Sequence, residues 1–229
     1  MSLFIGSLVL RPYVFLFLVA FAVLAVRDIG LRRAAVFMAW VWPVAFVAEY
    51  LSTRIGIPFG LYRYTGNTRG QELFIADVPF FDSLSLVFLG YAAFCLSRLV
   101  ARGRARTTLV AGALMMLLDV VIDPLAVRGD RWFLGHIFSY PNGGAYFGVP
   151  LSNFLGWWIV GAVGVGGYLA LTRTTGEGGR PWPGVGLYYG VLVFNLAVTA
   201  WIQEWSLLLC GVLLHIALGG SLRAAAARG

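Results

Sequence analysis

Long apolar stretches alternate with short polar connections along almost the whole chain. A helix needs roughly 17–25 mostly apolar residues to cross the hydrocarbon core of a bilayer. The pattern predicts spans near 10–26, 34–51, 80–100, 108–126, 151–171, 184–202 and 205–222. Backbone groups in lipid must be satisfied internally, which leaves helices or closed barrels. A barrel would alternate polar and apolar positions, and this chain does not. The expected fold class is all-α: a polytopic transmembrane helix bundle of about seven spans, forming a single integral membrane domain over 1–229. Only Gln203 and Glu204 separate the last two spans, so six spans with a bent final segment is the alternative. The basic residues near the first apolar run fall mainly after it (Arg27, Arg32, Arg33). That order reads as a membrane span and not as a signal peptide.

Composition narrows the class further. Of 229 residues, 60% are hydrophobic and 12% charged, against about 25% charged in soluble domains. The mean hydropathy is +0.83. All 17 basic residues are arginine. The net charge of +7 reads as an orientation signal at span ends rather than a nucleic-acid surface. Eleven arginines fall on one side (Arg27, Arg32, Arg33, Arg98, Arg102, Arg104, Arg106, Arg173, Arg180, Arg223, Arg228) and six on the other (Arg11, Arg54, Arg63, Arg69, Arg128, Arg131). The richer side is expected to be cytoplasmic, placing the N-terminus outside and the C-terminus inside a cell membrane. Cys95 and Cys210 lie within predicted spans, which argues against a disulfide framework. His136 and His215 form no cluster with metal-ligand spacing.

The acids run the other way. Asp28 and Glu177 fall on the arginine-rich side; the other eight lie in or beyond the opposite half of the membrane. Glu49 near the end of the second span, Asp82 at the start of the third, Asp119 and Asp123 in the fourth and Asn153 at the start of the fifth bring polar groups to one face. Asp119 and Asp123, four apart, share one helix face. An Asp at the centre of a membrane helix costs roughly 2.5–3.5 kcal/mol and normally marks a functional path. The bland alternative is that Asp123-Pro124 ends the helix, with the carboxylate satisfied by backbone N–H groups. Glu49, apolar on its upstream side, reads either as an acid that keeps its proton for a substrate or as an ion-pair partner of Arg54 or Arg63.

Two loops carry aromatics. Residues 56–64 (Phe59, Tyr62, Arg63, Tyr64) and 132–150 (Trp132, His136, Tyr140, Asn142, Tyr146) each read as a lid over a lipophilic cleft or as an interfacial aromatic belt. Asn195, Thr199 and Gln203 form a polar stripe suited to interhelical hydrogen bonds, and Gly161, Gly164 and Gly167 suit close helix packing.

Three segments in order then become recognisable: Glu49 with Gly56-Ile57-Pro58-Phe59-Gly60-Leu61-Tyr62-Arg63-Tyr64, Leu118-Asp119-Val120-Val121-Ile122-Asp123-Pro124, and Tyr146-Phe147-Gly148-Val149-Pro150-Leu151-Ser152-Asn153-Phe154-Leu155-Gly156-Trp157. Over roughly 45–160 the chain resembles the carotenoid biosynthesis membrane family that contains the bacterioruberin-type and γ-carotene-type hydratases. The resemblance implies hydration of a terminal isoprenoid double bond to a tertiary alcohol, on a carotenoid or related polyisoprenoid delivered from membrane lipid. It requires no redox cofactor, and other carotenoid biosynthesis enzymes are the implied partners. Asp119, Glu49 and Asp123 are then the candidate catalytic acids. Arg63, Tyr62, Tyr64, Phe59, Asn153, Trp157, Tyr146 and Asp82 are the candidate substrate contacts. The segment Asp77–Ser83 departs from the apolar, Trp-containing stretch expected there. The rival readings are a lycopene-cyclase-like enzyme that quenches the same cation by ring closure, a Mg²⁺-dependent prenyl transferase lacking its second Asp-rich motif, and a non-enzymatic lipid carrier or assembly protein.

Overall fold

The computed structural model describes residues 2–174 and 179–226. Glu177 and Arg228 lie outside the described residues, as does the side chain of Arg223. Among the described residues eight α-helices follow one another: α1 (Leu3–Leu10), α2 (Pro12–Ile29), α3 (Leu31–Ile55), α4 (Phe80–Ser97), α5 (Arg104–Ala126), α6 (Leu151–Leu171), α7 (Trp182–Trp201) and α8 (Trp205–Ala226). Six of them, α2 to α7, are long and apolar enough to cross a membrane. Helix α8, apolar over Trp205–Ser221, is the further candidate for a seventh span. The chain turns sharply into it through Gln203, whose backbone is left-handed at φ 61°.

The first predicted span is altered at its start. Arg11 interrupts the apolar run, Pro12 opens α2 as a residue that needs no N–H partner there, and α1 stands as a separate short helix. Helix α4 is the centre of the bundle, buried almost throughout from Phe81 to Ser97, as a helix apolar all round must be. It packs against α2, α3, α5 and α7. Helices α2 and α7 present Leu16, Val19, Val23 and Val193 outward, the surface lipid would cover. Helices α5 and α6 approach most closely, through Gly112 and Gly161. A Cβ at Gly112 would lie 2.5 Å from the Trp158 carbonyl oxygen, so only the smallest residue permits this crossing.

The short α2–α3 and α4–α5 connections lie at one end of the bundle; the long α3–α4 and α5–α6 connections, with the brief α7–α8 turn beside them, lie at the other. At the short end Asp28 accepts from Arg98 at 2.6 Å, from the Tyr91 hydroxyl at 3.0 Å and from the Arg180 backbone N–H at 2.7 Å, clamping the ends of α2 and α4 to the segment before α7. At the long end two loops fold over the helices. Strand β1 (Arg63–Tyr64) pairs antiparallel with β4 (Phe138–Ser139), and β2 (Phe74–Ile75) with β3 (Val78–Pro79).

Candidate active site

Beneath the paired loops a cavity of about 130 Å³ opens among the lid-side ends of α2 to α6 and the inner face of α7. In an up-and-down bundle these are alternately C-terminal and N-terminal ends, so residues far apart in sequence meet there. Glu49 comes from the end of α3, Asp82 from the start of α4, Asp123 from the end of α5, and Asn153 and Trp157 from the start of α6; all five line the cavity.

Asn153 organises the carboxyls. Its amide nitrogen donates to Asp119 Oδ2 at 2.6 Å and to Asp123 Oδ2 at 2.8 Å, and the Trp157 indole N–H adds a third bond to Asp123 Oδ2 at 3.1 Å. Asp123 is therefore held by side chains of α6 and not by backbone N–H groups. Helix α5 runs through Pro124 to Ala126 rather than ending at Asp123. Asp119 is fully buried one turn back, outside the cavity wall, and its Oδ1 has no hydrogen-bond partner among the described residues. Glu49 accepts from the Tyr64 hydroxyl at 3.1 Å. Neither suggested ion pair forms: Arg54 turns to Asp77 at 2.8 Å, and Arg63 is exposed. Among the described residues no ion pair reaches Glu49, Asp119 or Asp123.

The loops form the lid. Phe59, Tyr62, Tyr64, Phe138 and Tyr140 line the cavity; the last four pack as an aromatic cluster, with Tyr62 at 5.4–5.7 Å from the other three rings, and Phe59 packs against Trp157 at 6.0 Å. The Phe59 backbone N–H donates to Ser52 Oγ at 3.0 Å, and Thr65 N–H to the Ile137 carbonyl at 2.9 Å. Burial, followed by the nearby Glu49 carboxyl, pushes the Tyr62 and Tyr64 phenols well up, so both remain hydrogen-bond donors.

Two expected contacts do not reach the cavity. Arg63 sits between Tyr62 and Tyr64 on an extended strand whose side chains alternate, and its neighbours take the inner face. Tyr146 packs edge-on to Phe147 and Phe154, and its buried hydroxyl has no hydrogen-bond partner among the described residues. The polar stripe on α7 also differs from expectation: Asn195 and Thr199 donate to carbonyls of their own helix at 2.9 and 2.7 Å, and Gln203 is exposed in the turn. Sequence reasoning missed Arg11 as a site residue, along with Tyr13 and Phe194. The usable signal was Arg11 itself, a charge flanked on both sides by apolar residues. Among the described residues no group of three or more His, Cys, Asp or Glu side chains is arranged to hold a metal ion.

A family model described as "Carotenoid biosynthesis protein" matches residues 10–222. The chain belongs to the carotenoid biosynthesis protein family. A curated relative, the bisanhydrobacterioruberin hydratase of Haloarcula japonica, is 33% identical over 138 residues. That alignment covers 58% of this chain and 44% of the relative, so the chain matches less than half of that protein's length. No solved structure matches the chain. Each of the three segments that carry the family resemblance sends residues to the cavity wall: Glu49, Phe59, Tyr62 and Tyr64 from the first, Ile122 and Asp123 from the second, and Asn153 and Trp157 from the third.

Proposed function

We propose that this family member is a carotenoid hydratase, adding water across a terminal isoprenoid double bond to give a tertiary alcohol. The observation that carries the reading is one cavity, roofed by aromatic rings, in which Glu49 and Asp123 face the same space without a cation on either. An alkene is a poor base, and its protonation needs a positioned acid away from bulk water. Glu49, partnered by a hydroxyl rather than an arginine, is the proton donor. Asp123, fixed by Asn153 and Trp157, presents a negative oxygen to the tertiary cation, and the faces of Trp157, Tyr62 and Phe59 add attraction. Asp119 carries the proton that allows two carboxyls to share one amide in a dry interior.

Size supports an end group as the substrate part bound. A cavity of roughly 150 Å³ holds a molecule such as benzene. The 130 Å³ present here accommodates one isoprenoid terminus and not a whole polyene, whose remainder stays in the bilayer.

Expression in a bacterium that makes lycopene tests the reading. The expected result is pigment heavier by the mass of water, with Glu49→Gln lowering conversion by roughly 10²–10⁴-fold. Pigment of unchanged mass and shifted spectrum would replace hydration by cyclisation. Unchanged pigment with a folded protein would favour a carrier.

A further inference from the structure

Arg11 enters the bundle where α1 gives way to α2, and its side chain is 2% exposed. Glu72, folded in from the loop before β2, takes Nε and Nη2 of Arg11 in a two-pronged pair at 2.8 Å each and is itself fully buried. The remaining Nη1 lies 2.9 Å from Asp82 Oδ1, a charge contact in which no N–H is aimed at the oxygen. The two acids thus differ. Glu72 has both oxygens committed and lies off the cavity. Asp82 lines it, keeps 18% side-chain exposure, and has no protein donor on Oδ2 among the described residues. Of the cavity's three wall carboxyls, Asp82 alone stands beside a cation.

Resting on the hydration reading above, we infer that Asp82 is the base that takes the proton from the attacking water, with Arg11 as its positioning residue. The Glu49 proton bonds to the CH carbon of the terminal double bond, using the alkene's electron pair and leaving a tertiary cation. A water lone pair forms the new C–O bond, and one proton of that water passes to Asp82 Oδ2. The alcohol leaves with Asp82 protonated and Glu49 ionised. Transfer of that proton through water from Asp82 to Glu49 restores the starting state. Glu72 holds the guanidinium so that its third nitrogen faces Asp82.

The test uses the purified protein in detergent with lycopene in deuterated water, reading two quantities: hydrated product, and deuterium in recovered lycopene. Exchange needs only delivery of a deuteron by Glu49 and return of the carbon's original hydrogen, after rotation of the C–C bond in the cation, to the Glu49 carboxylate, whereas hydration also needs the base. Asp82→Asn is expected to lower hydration by roughly 10²-fold or more while exchange continues, and Arg11→Gln to change the ratio in the same direction. Glu49→Gln lowers both together. Asp82→Glu, which preserves the ion pair should the Asn variant not fold, slows hydration relative to exchange and hydrates better than Asp82→Asn. Hydration by folded Asp82→Asn at the wild-type rate, or equal slowing of hydration and exchange in Asp82→Glu, overturns the assignment. A wild-type protein that neither hydrates nor exchanges lycopene overturns the hydration reading itself, a distinct outcome.

Discussion

At the scale of single residues, the contrast between Asp119 and Asp123 shows how four residues of separation divide labour. They share one helix face and one amide donor, yet Asp123 meets the cavity and Asp119 does not. Asn at 123 would remove the charge offered to a cation; loss of one such electrostatic partner costs about 10²–10³-fold in turnover. Asn at 119 places an N–H₂ where the shared proton would lie, so the network survives in altered form. Asp119→Asn is therefore expected to fold and to lose less conversion than Asp123→Asn. Pigment analysis of both variants, with detergent gel filtration as the folding check, decides it; wild-type conversion by Asp119→Asn would remove that residue from the mechanism. Most of this carboxyl set was legible because intramembrane acids are costly enough to be conspicuous. Arg11 was not, since an arginine near a span end has an ordinary explanation as an orientation charge, and its acid partner Glu72 is hidden in a polar loop. Arg63 misled for the opposite reason: it stands inside the recognisable motif, but strand alternation turns it outward.

Among the elements, the helices followed directly from apolar run length. The predicted span 151–171 coincides with α6, and the others differ by a few residues at their ends. The lid was less legible, because its two strands are each two residues long and join distant loops, leaving no periodicity to read. What seats the lid is a bare patch of α6. A Cβ on Gly156 would lie 2.7–2.8 Å from Phe59 Cδ1 and from the Pro58 carbonyl group. Gly156→Ala should push residues 56–64 off the cavity, costing about 1–3 kcal/mol by overpacking and lowering turnover while the bundle persists. Gly190 in α7 is the matched control, since a Cβ there meets nothing within 4 Å; Ala at that position is expected to be neutral or to stabilise the helix by about 0.5–1 kcal/mol. Thermal unfolding and protease sensitivity of the lid, measured side by side, check the pair. Equal behaviour of the two variants would mean that the lid does not depend on this contact.

For the whole molecule, the two ends of the bundle differ in charge, and the buried position of Arg11 sharpens the difference. Once Arg11 is assigned to the interior, five arginines remain at the lid end (Arg54, Arg63, Arg69, Arg128 and Arg131). Three of these are paired locally, Arg54 with Asp77, and Arg128 and Arg131 with the one carboxylate of Glu204, so two acids offset two of the three charges. The opposite end carries Arg27, Arg32, Arg33, Arg98, Arg102, Arg104, Arg106, Arg173 and Arg180 among the described residues, against Asp28. Positive charge next to short loops is retained on the cytoplasmic side during insertion, so we propose that the lid and the cavity beneath it face outward. Single cysteines at exposed positions test this in intact cells. Arg102→Cys samples the short loop between α4 and α5, and Asn142→Cys samples the lid, both in a Cys210→Ala background because Cys95 is buried. A membrane-impermeant maleimide is expected to label position 142 from outside and to reach 102 only after lysis. External labelling at 102 would invert the bundle, and with it the side from which water for hydration reaches Asp82.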